Sequence, residues 1–303
     1  MGSQLNNAPI SSSEGIHYED VSSFSCRTTY MACFGLALLY VGSLYVWKTE
    51  HPSTHPATMK RRFISVTIIT MLSPKFVEYF IDPDLLLNCA LLRLIGIRLD
   101  GIIPACLLPM ILTAILFLGP LSMEAFIGLW NIYTEPRYWL TNMKELIWIR
   151  NYVVAPLSEE LVFRACMLVL IIHCTRPMTA VFVCPIFFGA AHLHHMVEQI
   201  RFGVPWKVAF LTSCFQFMYT SIFGAYSAYL FLRTGHLIAP VLVHSFCNHM
   251  GFPDIVSLKE MPLNQRRISI GCFVGGVILW SLMVERMTDP RLYSNDLPWS
   301  NAV

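Results

Sequence analysis

The chain has 303 residues, of which 55% are hydrophobic and only 13% charged, with a formal net charge of +2. An average soluble domain carries about 25% charged residues, and a mean hydropathy of +0.55 over this length leaves too little polar surface to face water on every side. Disorder, collagen, a disulfide scaffold and nearly every soluble enzyme fold are excluded, and the bilayer is the expected solvent. The near-zero charge, with no basic run longer than Lys60-Arg61-Arg62, excludes nucleic acid as a partner.

In chain order, residues 1–27 are Ser/Asn-rich and acidic, with neither a positive n-region nor an apolar h-region, so no cleavable signal peptide is expected. Met1-Gly2 resembles a myristoylation start, but Asn6 stands where Ser or Thr is wanted. A membrane span needs about 20 mostly apolar residues. The sequence predicts spans over 30–47, 63–81, 101–121, 147–174, 178–193, 207–232, 236–252 and 268–284, with a shorter apolar run at 85–97. The fold class is therefore all-α: a polytopic membrane bundle of about eight helices, enclosing an intramembrane cavity. One membrane-embedded domain, 28–287, lies between the polar tail 1–27 and a short polar tail, 288–303. Lys48, Lys60, Arg61 and Arg62 follow the first span, whereas Glu14, Glu19 and Asp20 outnumber Arg27 before it. The positive-inside rule places that loop in the cytosol and the N-terminus outside, or in the lumen of an organelle. Ten cysteines lie mostly in apolar stretches without a C-x-x-C pair and are read as reduced, small, buried side chains.

Ionisable groups within a span cost about 2.5–3.5 kcal/mol each at the bilayer centre and mark function. Three segments carry them. In Ala155-Pro156-Leu157-Ser158-Glu159-Glu160-Leu161-Val162-Phe163-Arg164, Pro156 and Ser158 read as helix-start residues, placing both glutamates near the positive end of a helix dipole. Glu160 and Arg164 are i,i+4 and can pair. Glu159 is rotated about 100° away and has Phe163 as its i+4 neighbour. A carboxylate without a local partner in apolar surroundings suits a general base. In Phe187-Phe188-Gly189-Ala190-Ala191-His192-Leu193-His194-His195, His192 ends an apolar helix beside small residues that admit another helix or a substrate. In His244-Ser245-Phe246-Cys247-Asn248-His249, His244 and Asn248 share a helix face, two neutral donors of the kind a developing oxyanion needs.

Structural roles compete with these. A Glu–Arg pair often staples helices together, a role open to Glu160 and Arg164 but not to Glu159. His194, His195 and His249 fall at predicted helix ends, where a solvated interfacial role is expected. The aromatic stretch Phe215, Phe217, Tyr219, Phe223, Tyr226, Tyr229 and Phe231 reads as bundle packing that could also line a groove for a lipid chain. His192, His194, His195 and Glu198 invite a zinc reading, but there is no H-E-x-x-H, and His195-x-x-Glu198 lacks the second His of an inverted motif.

Glu159-Glu160-x-x-x-Arg164, Phe188-x-x-x-His192 and His244-x-x-x-Asn248, in that order on successive segments, resemble the three motifs of the CAAX prenyl endopeptidase family. The strings SEELVFRACM, FFGAAHLHHMVEQIRF and HSFCNHMGFP resemble its eukaryotic, Ras-converting branch, specifically over about 150–256. The resemblance implies an eight-helix protease of the endoplasmic reticulum membrane with an active site open to the cytosol. Such a protease removes the last three residues of proteins whose CAAX cysteine carries a farnesyl or geranylgeranyl group. Its partners would be prenylated CAAX proteins, Ras-like small GTPases among them, and membrane lipids. By the same resemblance Glu159 and His192 would activate water, Glu159 as general base. His244 and Asn248 would hold the oxyanion, Glu160 and Arg164 would support the site, and no metal or cofactor is required. Two other readings of the same residues are a proton-coupled transporter using the Glu/His cluster, which would show inverted halves, and an inactive prenyl-lipid-binding scaffold.

Overall fold

The computed structural model describes residues 25–48, 51–81, 83–300 and 302, and the regular structure in them is helical throughout. The N-terminal readings over 1–24 lie outside the described residues. Two long helices come first, α1 (Cys26–Ser43) and α2 (Pro56–Phe80). Next come α3 (Ile102–Leu116) and α4 (Leu118–Phe126), then a continuous helical run, α5, over 146–171. The chain finishes through α6 (Pro177–Ala191), α7 (His194–Arg201), α8 (Trp206–Thr234), α9 (Ile238–Met250) and α10 (Leu263–Met287).

By length and composition, four of these cross a membrane: α2, the joined α6–α7, α8 and α10. A fifth is added if α3 and α4, bent by 73°, form one span. Length and composition alone thus count fewer than eight. Helix α1 opens on Arg27-Thr28-Thr29, α5 carries Arg150, Glu159, Glu160 and Arg164, and α9 has 13 residues.

Helix α5 is the axis of the bundle. Val162, Phe163 and every residue from Ala165 to Ile172 are 2% exposed or less, and α1, α2, α6 and α8 all pack on this part of the run. A helix that is apolar all round must be enclosed, so this one sits inside a ring of others. The outer helices show the reverse pattern. Helix α10 buries only Ser269 and Gly276 and exposes Ile270, Val274, Val277, Ile278 and Leu282. So wide an apolar surface suits lipid contact rather than water. Close approach of α6 and α8 depends on small residues. A Cβ on Gly189 would lie 2.3 Å from Ser221 Oγ, and one on Gly224 would lie 2.8 Å from Pro185 Cβ.

Nothing in the composition of 288–303 announces that this tail packs. Tyr293, Asn295, Leu297 and Trp299 are buried, and Asn295 Nδ2 donates to the carbonyls of Leu232 (2.9 Å) and Arg233 (3.0 Å) at the end of α8. Gly235 ends that helix with φ +64°, and a Cβ there would meet Asn295 Oδ1 at 2.5 Å. Arg98 ties the pieces together, donating to the carbonyls of Thr234 (3.1 Å), Gly235 (3.1 Å), Tyr293 (2.8 Å) and Ser294 (2.7 Å). Arg98→Ala leaves these carbonyls without their donor and is expected to destabilise the fold by about 2–4 kcal/mol. Limited proteolysis should then release the tail before the rest of the chain; an unchanged digestion pattern would show that the tail is held by its aromatic residues alone.

The ten cysteines are unpaired. Cys33, Cys166 and Cys184 are buried as expected, but Cys26 and Cys214 are exposed.

Candidate active site

The site begins with Pro156. A proline within a helix lacks the N–H that the carbonyl four residues earlier would accept, here that of Tyr152. The run does not start afresh at this point; it continues through a π-helical segment, Arg150–Val154, in which the N–H of Ala155 bonds Arg150 O. The carbonyls of Asn151 and Tyr152 are thereby left without their usual α-helical donors. Helix α9 supplies replacements: Asn248 Nδ2 donates to Asn151 O at 2.9 Å, and Ser245 Oγ donates to Tyr152 O at 2.7 Å. The break in α5 is therefore what docks the His244–Asn248 segment against it. This corrects the helix-start reading of Pro156 and Ser158. Both residues are internal, so the glutamates gain no field from a helix N-terminus. Ser158 Oγ donates to Val154 O at 2.7 Å and accepts from Tyr40 Oη at 2.9 Å.

A second π-helical segment, Glu160–Leu168, follows directly. Such wide turns are rare and concentrate at functional sites. Glu160, fully buried, holds three partners. Arg164 Nε lies 3.1 Å away, His244 Nδ1 lies 2.7 Å away, and Ser227 Oγ donates to the same carboxylate oxygen that Arg164 meets. The expected i,i+4 ion pair is present. The other nitrogens of Arg164 make no hydrogen bond within the described residues. Its guanidinium instead lies over the Phe188 ring, 4.0 Å from the centroid, a favourable place for a desolvated cation.

Glu159 is not wholly alone, since His244 Nε2 is 3.8 Å from its carboxylate. His244 thus lies between the two glutamates. Because its Nδ1–H is engaged by Glu160, a neutral ring would present a lone pair, not a donor, at Nε2. In that tautomer His244 could not donate at Nε2, and the neutral donor of the two is Asn248 Nδ2. His192 has the same polarity. Its Nδ1–H donates to Phe188 O at 2.8 Å, leaving the Nε2 lone pair free for a ligand. The Phe188 ring packs edge-on to His192 at 4.6 Å, so this one residue orients His192 and stacks on Arg164.

Glu159, His192, His244 and Asn248 line one cavity of about 1080 Å³, whereas Glu160 and Arg164 lie behind its wall. Of the aromatic stretch on α8, Phe215, Tyr219, Phe223 and Tyr226 face this cavity, and Phe217, Tyr229 and Phe231 do not. The other histidines are placed less simply than helix ends suggested. His195 and Arg62 share Glu198, at 3.6 and 3.1 Å. His194 Nδ1–H donates to Ala191 O at 2.6 Å. His249 packs among Tyr133, Trp139 and Tyr152. Sequence reasoning missed Ser227, Ser245, Asn151 and Tyr40, which position the named groups from other helices.

The fold and site together define an all-helical membrane protein whose cavity brings carboxylate, imidazole and amide side chains together. The chain belongs to the CAAX prenyl protease 2 family. Residues 141–250 match the family model described as type II CAAX prenyl endopeptidase Rce1-like. The chain is 49% identical over 283 residues to CAAX prenyl protease 2 of Homo sapiens, covering 89% of this chain and 84% of that one. Identity to the protein of the same name from Arabidopsis thaliana is 34% over 305 residues, covering 92% and 96%. To that of Saccharomyces cerevisiae it is 32% over 252 residues, covering 72% and 79%. No solved structure matches the chain.

Proposed function

We propose that this protein is an intramembrane endopeptidase that removes the C-terminal aaX tripeptide from farnesylated or geranylgeranylated CAAX proteins, Ras-like small GTPases among them. The observation that carries this reading is the convergence of Glu159, His192, His244 and Asn248 from three helices on one cavity that also has an aromatic wall. The prenyl chain lies along that wall while the peptide reaches the polar groups. Glu159 takes a proton from a water held by the His192 Nε2 lone pair, and the hydroxide attacks the carbonyl of the prenylated cysteine. Asn248 Nδ2 and His244 Nε2–H donate to the oxyanion. Collapse breaks the peptide bond, and the proton on Glu159 passes to the leaving amine.

This role requires His244 to carry both ring protons. Carboxylate oxygens stand ready to accept from both ring nitrogens, Glu160 at 2.7 Å from Nδ1 and Glu159 at 3.8 Å from Nε2. We place α1, α2, α3–α4, α5, α6–α7, α8, α9 and α10, eight stretches, across the endoplasmic reticulum membrane, with the cavity reached from the cytosol. Lys48 after α1 and Lys60, Arg61 and Arg62 at the start of α2 support that orientation.

The decisive experiment is release of the tripeptide from a farnesylated CAAX peptide by purified protein; no release would end the proposal. Asn248→Ala is expected to lower kcat by about two to three orders of magnitude. A change confined to KM would make Asn248 a ground-state binding group instead.

A further inference from the structure

The wall of the cavity contains a cation that the mechanism does not use. Arg62 and Arg150 both line it. Arg62 is held by Glu198 at 3.1 Å. Arg150 forms no ion pair among the described residues, and its Nε donates to Asn151 Oδ1 at 2.9 Å. That single bond fixes the guanidinium by its inner nitrogen and leaves the outer N–H groups for a ligand. A half-buried arginine facing a cavity without a carboxylate partner is a ready site for a planar anion, because its fork matches two oxygens at once.

Its place along α5 is specific. Arg150 lies nine residues before Glu159 on the same helical run, at most about 13 Å along the axis at 1.5 Å per residue. Three extended residues span about 10–11 Å. A peptide whose scissile carbonyl lies at Glu159 therefore brings the carboxylate three residues further on to the level of Arg150. The π-helical segment Arg150–Val154 serves both ends of this arrangement. Asn151 accepts Arg150 Nε at its side chain and Asn248 Nδ2 at its backbone carbonyl, so the anion site and the oxyanion donor are built on one residue.

We propose that Arg150 binds the free C-terminal α-carboxylate of the substrate and so measures three residues from the cleaved bond. The inference rests on the tripeptide-releasing function proposed above. Only a peptide ending three residues beyond the prenylated cysteine satisfies both Arg150 and Glu159.

The test uses the purified full-length protein with two farnesylated peptides that differ only in a C-terminal carboxylate or carboxamide. The wild-type protein is expected to prefer the acid by about 10- to 100-fold in kcat/KM, the range of a hydrogen bond to a charged group. Arg150→Ala should lose about that factor on the acid, mainly through KM, and cleave acid and amide at similar rates. Arg150→Lys, which keeps the charge without the fork, should restore part of the preference. Where the alanine variant does not accumulate, Arg150→Gln replaces it, with the same loss of preference expected. Equal cleavage of the two peptides by the wild-type protein overturns the proposal and leaves the endopeptidase reading intact. So does an Arg150 variant that is slower on both peptides but keeps the full preference, because that is the mark of a structural role. Cleavage of neither peptide by the wild-type protein removes the endopeptidase reading and this inference with it.

Discussion

Glu159→Gln and His192→Ala are each expected to abolish cleavage of a farnesylated CAAX peptide while leaving the purified yield near that of the wild-type protein. Loss of a positioned general base costs about 10²- to 10⁴-fold, and the loss should appear in kcat. Glutamine keeps the shape of Glu159 and its place beside His244 but cannot take the proton from water. The fold should tolerate the change, because the Glu159 side chain is 17% exposed and borders the cavity. His192 likewise lines the cavity, and among the described residues its ring hydrogen bond is to its own helix, at Phe188 O. Cleavage assays beside size-exclusion profiles decide the matter. Turnover by either variant within tenfold of wild type would remove that residue from the chemistry. Aggregation of either would make it a structural group.

What could be read from the sequence divides by the range of the interaction. The Glu160–Arg164 pair and the different direction of Glu159, which borders the cavity, follow from helical spacing within one turn. His192 and the small residues beside it were legible because polar and glycine positions are conspicuous in an apolar helix, and Gly189 does admit α8. The contacts that complete the site join distant segments. His244 reaches Glu160 across 84 residues, and Ser227 reaches it across 67. Nothing marks Ser227 off from any other serine in a span. Pro156 was misread because a proline usually opens a helix; here the π turn before it and two donors from α9 let the helix run on. The spans are hard to count from the sequence for a related reason. The axial helix is enclosed by protein, so it can carry charges that a lipid-facing helix could not, and its pattern resembles neither an ordinary span nor a surface helix.

Removing Glu160 should damage stability more than any other single change in the site. Arg164 is 1% exposed and Glu160 0%, and Glu160 is the only carboxylate paired with Arg164 among the described residues. In Glu160→Ala the guanidinium keeps the Phe188 ring but loses its counter-charge, and His244 and Ser227 lose their acceptor in the same step. Breaking a buried pair from one side costs on the order of 3–5 kcal/mol. Glu160→Ala should lie at the upper end of that range. Arg164→Ala should cost less, because Glu160 then still has His244 at 2.7 Å and the Ser227 hydroxyl. Glu159→Gln should melt close to wild type. The expected order of thermal stability is therefore wild type and Glu159→Gln together, then Arg164→Ala, then Glu160→Ala, with all three variants inactive or nearly so. Melting curves of the four proteins in one detergent, beside a cleavage assay, test the order directly. If Arg164→Ala melts like wild type yet is inactive, Arg164 acts on the substrate and not on Glu160. If Glu159→Gln melts as low as Glu160→Ala, the 3.8 Å contact between Glu159 and His244 is a structural ion pair, and the two glutamates share one task instead of dividing it.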